Sequence, residues 1–146
     1  RRCVMKMKFK VSRAEMWSAT IDDRAGGAAA VLDPVAKAGA NFEFVLARRA
    51  PEQPGKGLLF VLPVKRAKVV KAAQEVGLAR AEGIHTVKVE GSDKPGTSAA
   101  IVCALASAGI SFRAISATVV GKKFSGYLAL DSAEDAAKAA SVLKKL

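Results

Sequence analysis

Histidine is nearly absent from this chain. His85 is the one copy, and Cys3 and Cys103 are the only cysteines. A zinc centre needs three or four convergent nitrogen, sulfur or carboxylate ligands, so no metal site is expected. No Ser–His–Asp set, activated cysteine or paired-carboxylate arrangement emerges either, and the chain reads as non-catalytic. Two lone cysteines make no disulfide framework. Cys103 falls in an apolar helical run and reads as a small buried hydrophobe. His85 opens a predicted strand and reads as a pairing or surface residue. Aromatic residues make up only 5% of the chain, which leaves no base-stacking platform or aromatic ligand cage. No apolar run reaches the length that spans a bilayer, and positions 1–11 lack a signal-peptide core, so no membrane role and a cytoplasmic location are expected.

The charge is one-sided. Twenty-four Lys and Arg stand against 13 Asp and Glu, a formal net charge of +11. Such an excess invites a nucleic-acid reading. The basic residues are scattered and lack interleaved aromatics, so they read instead as a solvated coat on helices and strand edges. Among the apolar residues Ala and Val dominate. Small side chains imply helices packed closely on a sheet.

A repeat sets the architecture. Asp23-Arg24-Ala25-Gly26 is followed by Ala38-Gly39-Ala40-Asn41-Phe42, and Asp93-Lys94-Pro95-Gly96 by Ala108-Gly109-Ile110-Ser111-Phe112. Matched positions lie 70 apart (93 − 23, 96 − 26, 109 − 39, 112 − 42). The chain is therefore two copies of one small α/β unit, each near the lower size limit for an independent core.

Periodicity gives each copy the same order. The first reads as a strand at 15–21, a turn at 22–25, a helix at 26–38 with Pro34 kinking it or delaying its start, a strand at 41–49, a hairpin loop at 50–57, a strand at 58–64 and a helix at 65–76. Ala67, Val70, Ala73 and Gln74 lie on one side of that helix. The second repeats it: strand 84–90, turn 91–96, helix 97–108 with Thr97 or Ser98 as cap, strands 111–120 and 122–130, and a helix at 133–145 capped by Asp131 or Ser132. The fold class is α+β: two ferredoxin-like units with antiparallel sheets and helices on one face. Each copy lacks one strand, and the chain ends on a helix. Met5, Met7, Phe9 and Val11 alternate with lysines, which reads as an extra strand at about 5–11. We expect it to pair antiparallel with 15–21 and complete a first unit, 1–77, while 78–82 does the same for a second unit, 78–146. The alternative order has 78–82 closing the first unit and the N-terminal strand going elsewhere.

Each acidic-basic-Gly turn opens a helix, whose first N–H groups can hold a carboxylate. Gly26, Gly27 and Gly96 allow close approach to the backbone. Asp23 and Asp93 could take up an ammonium group. Together they suit a zwitterion, although the same residues also make an ordinary strand-to-helix turn.

Both turn-plus-helix segments resemble the ACT domain, the small βαββαβ regulatory module of amino-acid metabolism. The likeness runs from Glu15 to Leu146, with Ala25 where the family favours Pro and Ser111 where Asn is usual. It implies a tandem ACT protein that binds an amino acid or similar small carboxylate at the turn and at the domain interface, through Asp23, Gly26, Gly27 and Asn41, and through Asp93, Gly96, Thr97 and Ser111. The first turn, with two glycines and Asn41, is expected to be the main site. No cofactor is implied. A homo-oligomer and a regulated protein partner are. Two alternatives remain on the sequence: a structural subunit without a ligand, and a basic RNA-binding protein of ferredoxin-like fold.

Overall fold

The computed structural model describes residues 7–146. Along the chain run β1 (Lys10–Ala14), β2 (Trp17–Asp22), α1 (Ala29–Lys37), β3 (Phe44–Arg49), β4 (Lys56–Leu62), α2 (Ala67–Glu75), β5 (Ala79–Arg80), β6 (His85–Ser92), α3 (Thr97–Ser107), β7 (Ala114–Val120), β8 (Lys123–Leu130) and α4 (Ala133–Lys144). They form two antiparallel four-stranded sheets, ordered β3-β4-β2-β5 and β1-β6-β8-β7. Both have the ferredoxin-like order expected.

The strand assignment is the main correction: the pairing follows the alternative order, not the expected one. β1 does not pair with β2. It pairs with β6, from Lys10 opposite Glu90 to Ala14 opposite Thr86. The free edge of β2 takes β5 instead, with Trp17 opposite Arg80 and Ser18 opposite Ala79. The N-terminal strand does fill the slot of a missing last strand, but in the other unit. The reason is positional: α2 is followed directly by β5, which takes the free edge of β2, and among the described residues β1 is the strand that takes the edge of β6. The chain therefore divides not after position 77 but after 14 and after 81. We call 15–81 the inserted unit, and 7–14 together with 82–146 the split unit. Positions 5 and 6 of the expected strand lie outside the described residues.

In the inserted unit Trp17, Ala19, Leu59 and Val61 from the sheet pack against Val31 and Val35 of α1 and Val69 and Ala73 of α2. The buried residues of α2 are Val69 and Ala73; of the expected face only Ala73 is buried, and Val70 is half-buried. α1 starts at Ala29, late enough that Pro34 removes a single helical hydrogen bond near its middle. In the split unit Val11, Val87, Val89 and Leu128 pack against Ile101 and Leu105 of α3 and against Ala136, Ala139, Ala140 and Leu143 of α4. The alanines, at helical spacing, let α4 lie close on the sheet. Ser132 caps α4 as expected, its Oγ accepting from the Asp135 N–H at 3.0 Å. Cys103 is half-buried rather than buried. Among the described residues no helix is long and apolar enough to cross a membrane.

Candidate functional site

The sequence repeat is also a repeat of hydrogen bonds. Gly27 N–H donates to Arg24 O at 3.0 Å, and Thr97 N–H to Lys94 O at 3.2 Å. Ala30 N–H donates to Gly26 O at 3.0 Å, and Ala100 N–H to Gly96 O at 2.9 Å. Gly26 and Gly96 both sit in the left-handed region, at φ +88° and +84°, which only glycine adopts without cost. Two expectations change. Gly27 N–H is already used, so it cannot also hold a carboxylate. Thr97 caps nothing: it is 3% exposed, its hydroxyl donates back to Lys94 O at 2.7 Å, and Gly96 takes the cap position. In the split unit the N–H groups of Ser98 and Ala99 have no backbone acceptor among the described residues.

The two turns differ in what surrounds them. In the inserted unit the turn is latched by the β3–β4 hairpin. Arg49 Nε donates to Asp23 Oδ2 at 2.9 Å, Lys56 Nζ donates to Asp22 Oδ1 at 2.8 Å, and Asp23 N–H donates to Gly55 O at 3.0 Å. The Lys56 ammonium, with help from Arg24, holds the Asp22 carboxyl below its ordinary pKa. Asp23 is thus already satisfied by a guanidinium, against the expectation that two glycines would make this the more open turn.

Strand register identifies the counterparts in the split unit. Ile21 and Arg49 both lie opposite Gly57, while Gly91 and Val119 both lie opposite Phe124. Asp22 lies opposite Lys56, and Ser92 opposite Lys123. Ser92 therefore replaces Asp22, Val119 replaces Arg49, and Phe124 replaces Gly57. The latch is gone. Asp93 has no side-chain partner among the described residues, although its N–H still holds the hairpin through Lys122 O at 2.8 Å.

A cavity of about 310 Å³ opens beside that turn. Asp93, Lys94, Gly96, Thr97 and Ser98 line one side, and Ala117, Val119 and Phe124 the other. Its size is at the low end for a small-molecule pocket. A larger cavity, about 450 Å³, adjoins Lys94 and is lined by Met7, Lys8, Phe9, Ser92 and Leu146. Among the described residues that line it there is no Asp or Glu side chain and no part of α3, so it matches a zwitterion less well.

The structure brings together Asp93, Gly96 and Thr97 at this cavity, and Asp23, Gly26 and Gly27 at the latched turn. It does not bring Asn41 or Ser111 to either turn of its own unit. Both are exposed beyond the far end of a helix. α1 and α3 have 9 and 11 residues, a rise of roughly 13 and 16 Å. Sequence reasoning missed Val119, Ala117 and Phe124. The spacing of 70 reaches Val119 from Arg49, but the shorter second hairpin breaks that spacing before Phe124. Among the described residues no group of three or more His, Cys, Asp or Glu could hold a metal ion.

Residues 85–146 match the sequence model of the ACT domain. No curated protein matches the chain by sequence. Solved structures share the fold of nearly the whole chain, among them the following three. A protein from Bacteroides thetaiotaomicron has a TM-score of 0.73 at 16% identity, covering 93% of this chain and 99% of that one. The ligand-free regulatory subunit of aspartate kinase from Thermus thermophilus has a TM-score of 0.63 at 19% identity, covering 92% and 93%. The corresponding regulatory subunit from Thermus flavus has a TM-score of 0.56 at 18% identity, covering 93% and 97%.

Proposed function

We propose that this chain is a non-catalytic regulatory module of the tandem ACT type that senses an amino acid at the turn of the split unit. One observation carries the choice of site: Asp93 lines a cavity and has no side-chain partner among the described residues, whereas its counterpart Asp23 holds Arg49. In that cavity the ligand ammonium meets Asp93. The ligand carboxylate meets the N–H groups of Ser98 and Ala99 and the Lys94 ammonium, where the helix end favours negative charge. Gly96 keeps the backbone there uncovered, and Thr97 braces the turn through Lys94 O.

The ACT match over 85–146 and the likeness to aspartate kinase regulatory subunits support regulation of an enzyme partner. Exposed apolar residues on the edge strands, Val45 and Leu46 on β3 and Ile115 and Val120 on β7, support a homo-oligomer. The test is a thermal-shift screen of the twenty amino acids followed by calorimetry. A saturating shift with one ligand class, lost in Asp93→Ala, is expected. No binding by any amino acid would leave a structural subunit. Salt-sensitive RNA binding without such a shift would favour the nucleic-acid reading.

A further inference from the structure

Resting on the amino-acid reading, we infer that the sensed ligand has an uncharged, apolar side chain, selected by a wall of Val119, Ala117 and Phe124. The charged groups of the cavity, Asp93 and Lys94, sit together on the turn side, where the zwitterionic head engages them. The facing wall comes from β7 and β8, and among the described residues Thr118 is its one polar side chain. A charged side chain pointing that way would lose water and find no counter-ion.

The wall is built rather than incidental. The Phe124 ring lies over Gly126, where a Cβ would come within 3.2 Å of it. Phe9 flanks it, with ring centroids 6.4 Å apart. Gly91 permits that, since a Cβ there would lie 3.0 Å from Phe9 Cδ1. Val119 is 45% exposed and is the wall residue that a ligand side chain would cover. In the inserted unit the same two positions are Arg49 and Gly57, which give a guanidinium and no ring. Val119 and Phe124 thus turn a self-satisfied polar turn into an open apolar-backed one.

The test is calorimetry on the full chain with leucine, valine, methionine, alanine, lysine and aspartate. The apolar amino acids should bind on the order of tenfold or more tighter than lysine or aspartate, with alanine weaker than valine, since each added methylene in such a pocket discriminates about tenfold or more. Val119→Arg should restore the latch, its guanidinium reaching Asp93 as Arg49 reaches Asp23, and weaken leucine binding at least tenfold. Val119→Thr keeps the shape, needs no new ion pair, and should weaken leucine several-fold. Tightest binding of a charged amino acid, itself abolished by Asp93→Ala, would overturn the apolar class and leave the amino-acid reading standing. So would leucine affinity unchanged in both Val119 variants at an unaltered ligand-free melting midpoint. Absence of binding by every amino acid would instead defeat the functional reading itself.

Discussion

Replacing Val11 with alanine tests the strand exchange most directly. Val11 is 8% exposed, lies opposite Val89, and belongs to the core of the split unit. The change deletes two methyl equivalents, worth about 1.6 kcal/mol of transfer energy. Incomplete collapse around the gap raises the loss to about 2–3 kcal/mol. At a factor of ten per 1.4 kcal/mol, 2 kcal/mol corresponds to roughly 30-fold faster opening. Hydrogen exchange read by mass spectrometry should show that acceleration over 85–92, the strand that β1 covers. The native fluorescence of Trp17, the single tryptophan and part of the other core, should not change. Accelerated exchange at 17–22 with none at 85–92 would refute the pairing and return β1 to the neighbouring strand in sequence.

Asp93→Ala should weaken amino-acid binding tenfold or more, the loss of a charge-assisted hydrogen bond at about 1.5–3 kcal/mol, while Asp23→Ala leaves affinity within about twofold by calorimetry. Gly27→Ala drives a Cβ into the Asp22 backbone carbonyl oxygen; the backbone must shift, and a loss of about 3 kcal/mol should appear in denaturant titration. Ser132→Ala removes the α4 cap and should cost about 1 kcal/mol in the same assay. The Asp22 carboxyl is held below its ordinary value of 3.8, chiefly by Lys56. Its contribution is therefore complete above that value and lost as pH falls through the lower folded value. An Asp22→Asn variant should show a flatter fall in denaturation midpoint between about pH 5 and pH 2.

Much of this was legible in the chain because the repeat is a repeat of backbone geometry. Gly26 and Gly96, or Gly39 and Gly109, recur because each left-handed position needs glycine, and positive φ angles fall at all four. The partner of β1 was not legible. Alternation of Phe9 and Val11 with lysines says strand, and 78–82 also reads as one, but an antiparallel partner is chosen by which sheet still has an open edge, and a strand with only Ala79–Arg80 paired carries no pattern that says whose edge it takes. The site was half legible for a related reason. Motif residues marked both turns, yet openness depends on Arg49 and Lys56 in one copy and on Val119 and Phe124 in the other. Those residues reach the turn through sheet register, and the register shifts where a six-residue hairpin connection, Ala50–Gly55, shortens to Gly121–Lys122.

The threading of the chain bears on how it is made. β1 emerges from the ribosome with its partner 80 positions behind it, Lys10 against Glu90. At 5–20 residues per second that is a wait of roughly 4–16 s, with an apolar face unclaimed. The inserted unit is complete before β6 exists, and its ends are tied together: Ala81 N–H donates to Met16 O at 2.8 Å, beside the Trp17–Arg80 pair. Once it has closed, bringing β1 to β6 no longer means closing a floppy loop of the whole intervening chain. Only Glu15 and the few residues at 82–84 remain to be ordered, so synthesis order itself removes most of the entropy that a strand pairing of this span would otherwise lose.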